Sequence, residues 1–334
     1  MKMIEATRPA DDVTLRGDIG EDWQQAALDW ASNLRSERTR EAYLAAWRDF
    51  LAFVEKPPFA VTQSDVIAYR RHLKTKPSPA TGRLVGQSTI NQRLSALSSF
   101  YAFAKGRGLG ATNPADGVKR ESVTPYGRAT WLNVREGDDK KLLDQVDTAT
   151  TQGKRDRAIL AIFLNRGLRV SELVGLTVGD LFHEGPTIRA TVTRKGGKVE
   201  DINLGRVASQ ALAVYLKTRG ELREGDPVFT ATERGRRAAR AVGRYGEGEE
   251  KPLTARAVRY LVKTYCNRLY GPGHHFRPHS LRHTAARRLD QEGASFRAIS
   301  SFMGHKSGRV TTVYLQALAG DADEAVDILS GVYG

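Results

Sequence analysis

Along the first third of the chain, apolar residues recur at helical spacing. Trp23, Ala26, Ala27, Trp30 and Leu34 fall on one face, and Tyr43, Trp47, Phe50, Leu51 and Val54 form a second such stripe. That second stripe stops at Pro57-Pro58, which cannot continue a helix. Thr62 to Asp65 has the pattern of a helix N-cap, followed by Val66, Ile67 and Leu73. After a polar loop from Pro77 to Gly86 comes a fourth stripe of Ile90, Leu94, Leu97, Phe100, Tyr101 and Ala104. The pattern predicts a four-helix unit over 21–106 in which the aromatic residues are core, not platforms for stacking bases. Residues 1–20 mix charges with Gly and Pro, show no periodicity, and read as a flexible tail. A Gly- and charge-rich stretch over 107–128 breaks the helical pattern and reads as a linker.

The remainder, 129–334, has mixed periods. A buried helix is expected over 156–165 and a short one over 170–176. Ile188, Ala190 and Val192 alternate with polar residues, Lys195 to Lys198 supplies a turn, and alternation resumes over 199–204, which is a β-hairpin by period and turn chemistry. Further helices are expected near 207–218, 254–269, 279–292, 295–303 and 308–318. The Arg/Gly/Glu stretch over 231–251 reads as a solvated loop. The fold class that follows is mainly α with a small antiparallel β-sheet.

Composition narrows the partner. Lys plus Arg number 52 and Asp plus Glu 38, so the net charge is 52 − 38 = +14. A sequence pI near 9.9 suits a polyanion, because each phosphate contact releases condensed counterions. The single cysteine, Cys266, excludes an intrachain disulfide and any zinc site built on several cysteines. The first residues hold no apolar run of the signal-peptide kind, and no stretch approaches the ~18 apolar residues of a membrane span. A cytoplasmic protein with no membrane contact is the expectation.

Three segments concentrate the residues that carry chemistry: Gly167-Leu168-Arg169-Val170-Ser171-Glu172-Leu173, His279-Ser280-Leu281-Arg282-His283, and Met303-Gly304-His305 with Tyr314 nine positions on. Singly they are unremarkable. An arginine is usually ion-paired, a helical tyrosine usually packs, and His279 and His283 lack a third metal ligand at recognisable spacing. Jointly they supply what attack on a phosphodiester needs without a metal or cofactor. Planar guanidiniums such as Arg169 and Arg282 suit the two non-bridging oxygens and the charge that builds on them. A phenol with an ordinary pKa near 10 needs a base such as His279, and the 5′ leaving oxygen needs an acid such as Lys195. His279 and Arg282, at i and i+3, share a helix face.

These segments, together with Thr311-Thr-Val-Tyr314, resemble the tyrosine recombinase family of phage integrases and Xer-type recombinases. The order Arg, Lys, His-x-x-Arg, His, Tyr runs from Arg169 to Tyr314, and the helical unit is similar to the family's core-binding domain. The resemblance implies that Arg169 and Arg282 bind the scissile phosphate and that Lys195 (favoured over Lys198) is the general acid. It also implies that His279 assists the nucleophile, His305 hydrogen-bonds the phosphate, Tyr314 attacks, and Glu172 supports the site from behind. It implies a catalytic domain over 129–334 and a clamp on duplex DNA. It further implies a homo-tetramer on two paired recombination sites, possibly with a partner recombinase, and strand exchange through a Holliday junction. The tail from Asp321 to Gly334 is similar to the family helix that docks on a neighbouring protomer, with packing on its own protomer as the alternative. A type IB topoisomerase, or a DNA-binding protein that has lost catalysis, remain the alternatives. Asn165-Arg166 before the first motif, Leu315-Gln316 after the tyrosine and the long 231–251 insertion depart from the common pattern. No domain for binding arm-type sites fits in the first 20 residues.

Overall fold

The computed structural model describes residues 20–78, 82–123, 130–194, 197–231 and 251–304. The chain divides into two compact units between Thr124 and Pro125. Among the described residues no helix is long and apolar enough to cross a membrane.

The first unit holds α1 (Glu21–Ser32), α2 (Glu37–Val54), α3 (Gln63–Thr75) and α4 (Gln87–Gly106). Local chemistry sets their starts. Ser36 accepts the Thr39 N–H at 3.2 Å, and Thr62 and Asp65 cap each other reciprocally. The apolar stripes then meet in an aromatic core. Trp30, Trp47, Phe50, Tyr69, Phe100 and Tyr101 are buried, and the Trp47 and Phe100 rings lie 3.9 Å apart between centroids. Asp49 ties three elements together. It accepts from Tyr69 Oη and Lys76 Nζ, each at 2.6 Å, and from Arg93.

Residues 107–123, within the expected linker, pack onto this unit instead of leaving it. Ala115 and Val118 join the core, and Asn113 donates to the Ser98 carbonyl at 3.1 Å. Asn91 brackets the backbone of Glu121 from both sides. Glu121 also pairs with Arg70 at 2.6 Å, so this stretch is held by specific polar contacts.

The second unit contains α5 (Asp138–Asp144), α6 (Thr151–Arg166) and α7 (Val170–Val174), then strands β1 (Leu181–Glu184), β2 (Thr187–Thr193) and β3 (Val199–Asn203). It continues with α8 (Arg206–Leu216), α9 (Ala255–Tyr270), α10 (Pro278–Gln291) and α11 (Phe296–Phe302). The strands form one antiparallel sheet in the order β1-β2-β3, with Ala190 opposite Ile202. Ile188, Ala190, Val192 and Ile202 point into the core and alternate with more exposed residues, as a half-buried sheet requires. The helix α6, buried from Ala158 to Phe163, is the centre of this unit and packs against α5, α8 and α10. Cys266 is fully buried on α9, and burial pushes its thiol pKa up to about 12. The architecture is the mainly helical one with a small antiparallel sheet that the periodicity predicts. The loop over 231–251 lies outside the described residues from 232 to 250, and the tail from Asp321 lies wholly outside them.

Candidate active site

The site begins at the end of α6. Gly167 closes that helix in the left-handed region at φ +59°, its N–H bonded to the Phe163 carbonyl. A Cβ here would come within 3.0 Å of the Phe302 ring and 3.1 Å of Arg282 Cγ, so glycine lets three segments converge. Leu168 then buries itself in the core, and the chain turns so that Arg169 starts α7.

At that helix start Glu172 folds back on its own turn. Its carboxylate accepts the Arg169 backbone N–H at 2.8 Å and the Arg169 guanidinium at 2.8 Å. The Glu172 side chain is 2% exposed, whereas that of Arg169 is 38% exposed. One member of the pair is therefore sealed in protein and the other opens to solvent. Burial works against the Glu172 charge, but the Arg169 N–H and the guanidiniums of Arg169 and Arg194 outweigh it and hold the carboxyl below its ordinary value.

The helix α10 brings the second cluster. Pro278 occupies its first turn and the Arg277 N–H is capped by Ser280 Oγ at 3.1 Å. Thr284 Oγ1 accepts the Leu132 N–H at 2.9 Å, and the hydroxyls of Ser280 and Thr130 lie 2.7 Å apart, so the chain at 130–132 is stitched along the helix. Arg282 is almost wholly buried. Its Nη1 donates to the Gly167 carbonyl and its Nη2 to the Met303 carbonyl. One guanidinium thus ties the Arg169 turn to the end of α11, two residues before His305. The sequence motif gives no sign of this bracing function.

His279 sits one turn earlier and is exposed by area, although its ring is crowded by protein and meets His283 edge-on at 4.4 Å. Desolvation, and then the charges of Arg282 and Arg169, push its imidazole below the ordinary value, so it is neutral at pH 7. That coupling brings Arg169, Arg282 and His279 into one electrostatic neighbourhood, with Glu172 behind them.

Of the residues singled out in the sequence, Arg169, Glu172, His279 and Arg282 are brought together here. Lys195, His305 and Tyr314 lie outside the described residues. Lys198 is exposed at the hairpin turn, where its carbonyl accepts the Arg194 N–H at 2.7 Å. Two further contributors lie outside the three motifs, and Gly167 opens the first motif. Arg194 pairs with Glu172 at 2.9 Å, Gly167 permits the close approach, and Phe302 lies under the Arg166 guanidinium at 5.7 Å.

Residues 133–320 match the phage integrase family, and 29–110 match the phage integrase N-terminal SAM-like domain. The chain belongs to the phage integrase family. This tyrosine recombinase is 32% identical over 287 residues to the tyrosine recombinase XerC of Mycobacterium sp. (strain JLS), covering 84% of this chain and 88% of that protein. Among solved structures, the recombinase is similar in fold to the XerH site-specific recombinase bound to palindromic difH substrate in a post-cleavage complex. The TM-score is 0.64 at 14% identity, covering 93% of this chain and 95% of that one. It is also similar to the Tn1549 transposon integrase in complex with circular intermediate DNA, with a TM-score of 0.61 at 21% identity, covering 88% and 94%. The chain is therefore a tyrosine site-specific recombinase, with an N-terminal SAM-like domain ahead of its phage integrase domain.

Proposed function

We propose that this chain cuts and rejoins duplex DNA at a specific recombination site through a covalent 3′-phosphotyrosine. The observation that carries the proposal is that the half-exposed Arg169, the buried Arg282 and His279 share one electrostatic neighbourhood, with the buried Glu172 paired to Arg169.

The Tyr314 phenol oxygen attacks the scissile phosphorus. His279, its imidazole held below the ordinary value, takes the phenolic proton. Arg169 and Arg282 bind the non-bridging oxygens, with His305 as a further hydrogen-bond donor. The P–O5′ bond breaks, and Lys195 protonates the departing oxygen. The phosphotyrosine keeps the energy of the broken bond, so a 5′-hydroxyl from a second duplex can attack it and release Tyr314 without ATP. Two such rounds on paired sites, run by four protomers through a Holliday junction, exchange the flanking DNA. In this reading the helical unit (21–106) and the catalytic unit (129–334) both contact the duplex. The biological outcome is integration or excision of a mobile element, or resolution of chromosome dimers. The fold shared with the XerH recombinase bound to palindromic difH substrate, and with the Tn1549 integrase in complex with circular intermediate DNA, supports a DNA partner.

The test is strand exchange itself. A site is first recovered by selecting bound duplexes from a random-sequence pool, and two end-labelled duplexes of unequal length carrying it are then incubated with the protein. Recombinant lengths and a four-way junction on a native gel are expected. Relaxation of a supercoiled plasmid with no exchange of flanks would identify a topoisomerase instead.

A further inference from the structure

Glu172 carries more than the arginine its motif assigns to it. Its carboxylate, 2% exposed, accepts Arg194 Nη1 at 2.9 Å on the same oxygen that takes the Arg169 N–H. The Arg194 side chain is itself only 10% exposed, and its Nε reaches Glu200 of β3 at 3.1 Å. Its backbone N–H closes the hairpin turn on Lys198. Arg194 is therefore fixed from three directions and turned towards carboxylates, while Arg169 opens to solvent.

We propose that Arg194 is a positioning residue that frees the charge of Arg169 for the scissile phosphate by sharing Glu172. A buried carboxylate paired with one guanidinium would neutralise it and hold it back in the protein. A second cation on the same carboxylate leaves the triad of Glu172, Arg169 and Arg194 with one excess positive charge. That charge is expressed on the exposed member. Glu200 also draws on Arg194, but at 37% exposure that contact is a partly solvated ion pair, weaker than the buried one to Glu172. The inference rests on the reading of Arg169 as a phosphate-binding group.

The experiment compares wild type, Arg194→Ala, Arg194→Lys and Arg169→Ala in single-turnover cleavage of a nicked duplex. The scissile linkage is either a phosphodiester or one of the two methylphosphonate diastereomers, in which a neutral methyl replaces one charged oxygen. On the phosphodiester, Arg194→Ala should slow cleavage by roughly tenfold to a hundredfold, the scale of effects transmitted through an outer shell, with partial recovery in Arg194→Lys and DNA affinity unchanged. On the diastereomer that has become insensitive to Arg169→Ala, the Arg194→Ala defect should shrink to less than about twofold. An equal slowdown on both linkages would mean that Arg194 acts through folding or the hairpin, and would overturn the inference, as would no slowdown on either. Failure of the functional reading is separate: wild type would then form no adduct on the phosphodiester at all.

Discussion

At residue 167 the backbone must turn left-handed where two side chains already crowd it. Gly167→Ala therefore carries about 1–2 kcal/mol of backbone strain, and the methyl must also displace Phe302 or Arg282. The expected result is a lower Tm together with slower cleavage, since Arg169 and the Arg282 carbonyl contact both hang on this turn; thermal melts and single-turnover assays on one preparation measure both. His279 supplies a pH prediction. Its folded value lies below 6.5, so the neutral base persists into mild acid, and the acidic limb of the cleavage profile at sub-saturating protein should fall below 6.5. A limb at or above 6.5 would remove His279 as the base of the free enzyme. Glu172 works in the opposite range. Its folded value is depressed below its ordinary 4.5, so its stabilisation is present above that pH and is lost as pH falls through the folded value. Glu172→Gln should be less stable than wild type at pH 7 in urea titrations, with the difference narrowing in acid.

The elements were legible where their faces are regular. The four N-terminal helices, the β2–β3 hairpin and α8 to α11 all follow apolar periods that a core must satisfy. Two elements escaped. The strand β1 buries almost nothing along Leu181–Glu184 and so lacks alternation, and α5 is a seven-residue helix whose one buried apolar side chain is Leu142. Residues 107–123 read as linker because glycines dilute the two anchors, Ala115 and Val118, whose partners are distant in sequence. The same limit applies to the start of α6, where Arg155 donates to the Thr230 carbonyl at 2.9 Å and pairs with Asp156, while Tyr265 on α9 donates to Asp156 at 3.2 Å. Burial raises the Asp156 carboxyl pKa despite Arg155. Removing one partner strands the other charge, so Asp156→Ala should cost roughly 3–5 kcal/mol in urea titrations, and a loss under about 1 kcal/mol would show that the pair is not buried as described.

For the whole molecule, the candidate motifs stood out because phosphodiester chemistry restricts which side chains serve and because their order resembles that of the tyrosine recombinases. What could not be read was how the motifs are braced: Arg282 on two carbonyls, and Arg194 on Glu172, are ties between segments far apart in the chain. The net charge of +14 has a consequence at this scale. With 6–10 phosphates contacted, duplex affinity should fall by roughly 10³–10⁵ between 50 and 200 mM salt, and a salt-independent affinity would contradict a phosphate-borne interface. The proposed mechanism turns on a tyrosine that becomes covalently joined to DNA. A nicked duplex that lets the 5′ product diffuse away should trap the protein, and proteolysis with mass spectrometry should place the 3′-phosphate on the peptide containing Tyr314. Tyr314→Phe should bind the duplex normally and trap nothing. An adduct that persists in Tyr314→Phe, or that maps to another residue, would contradict the account.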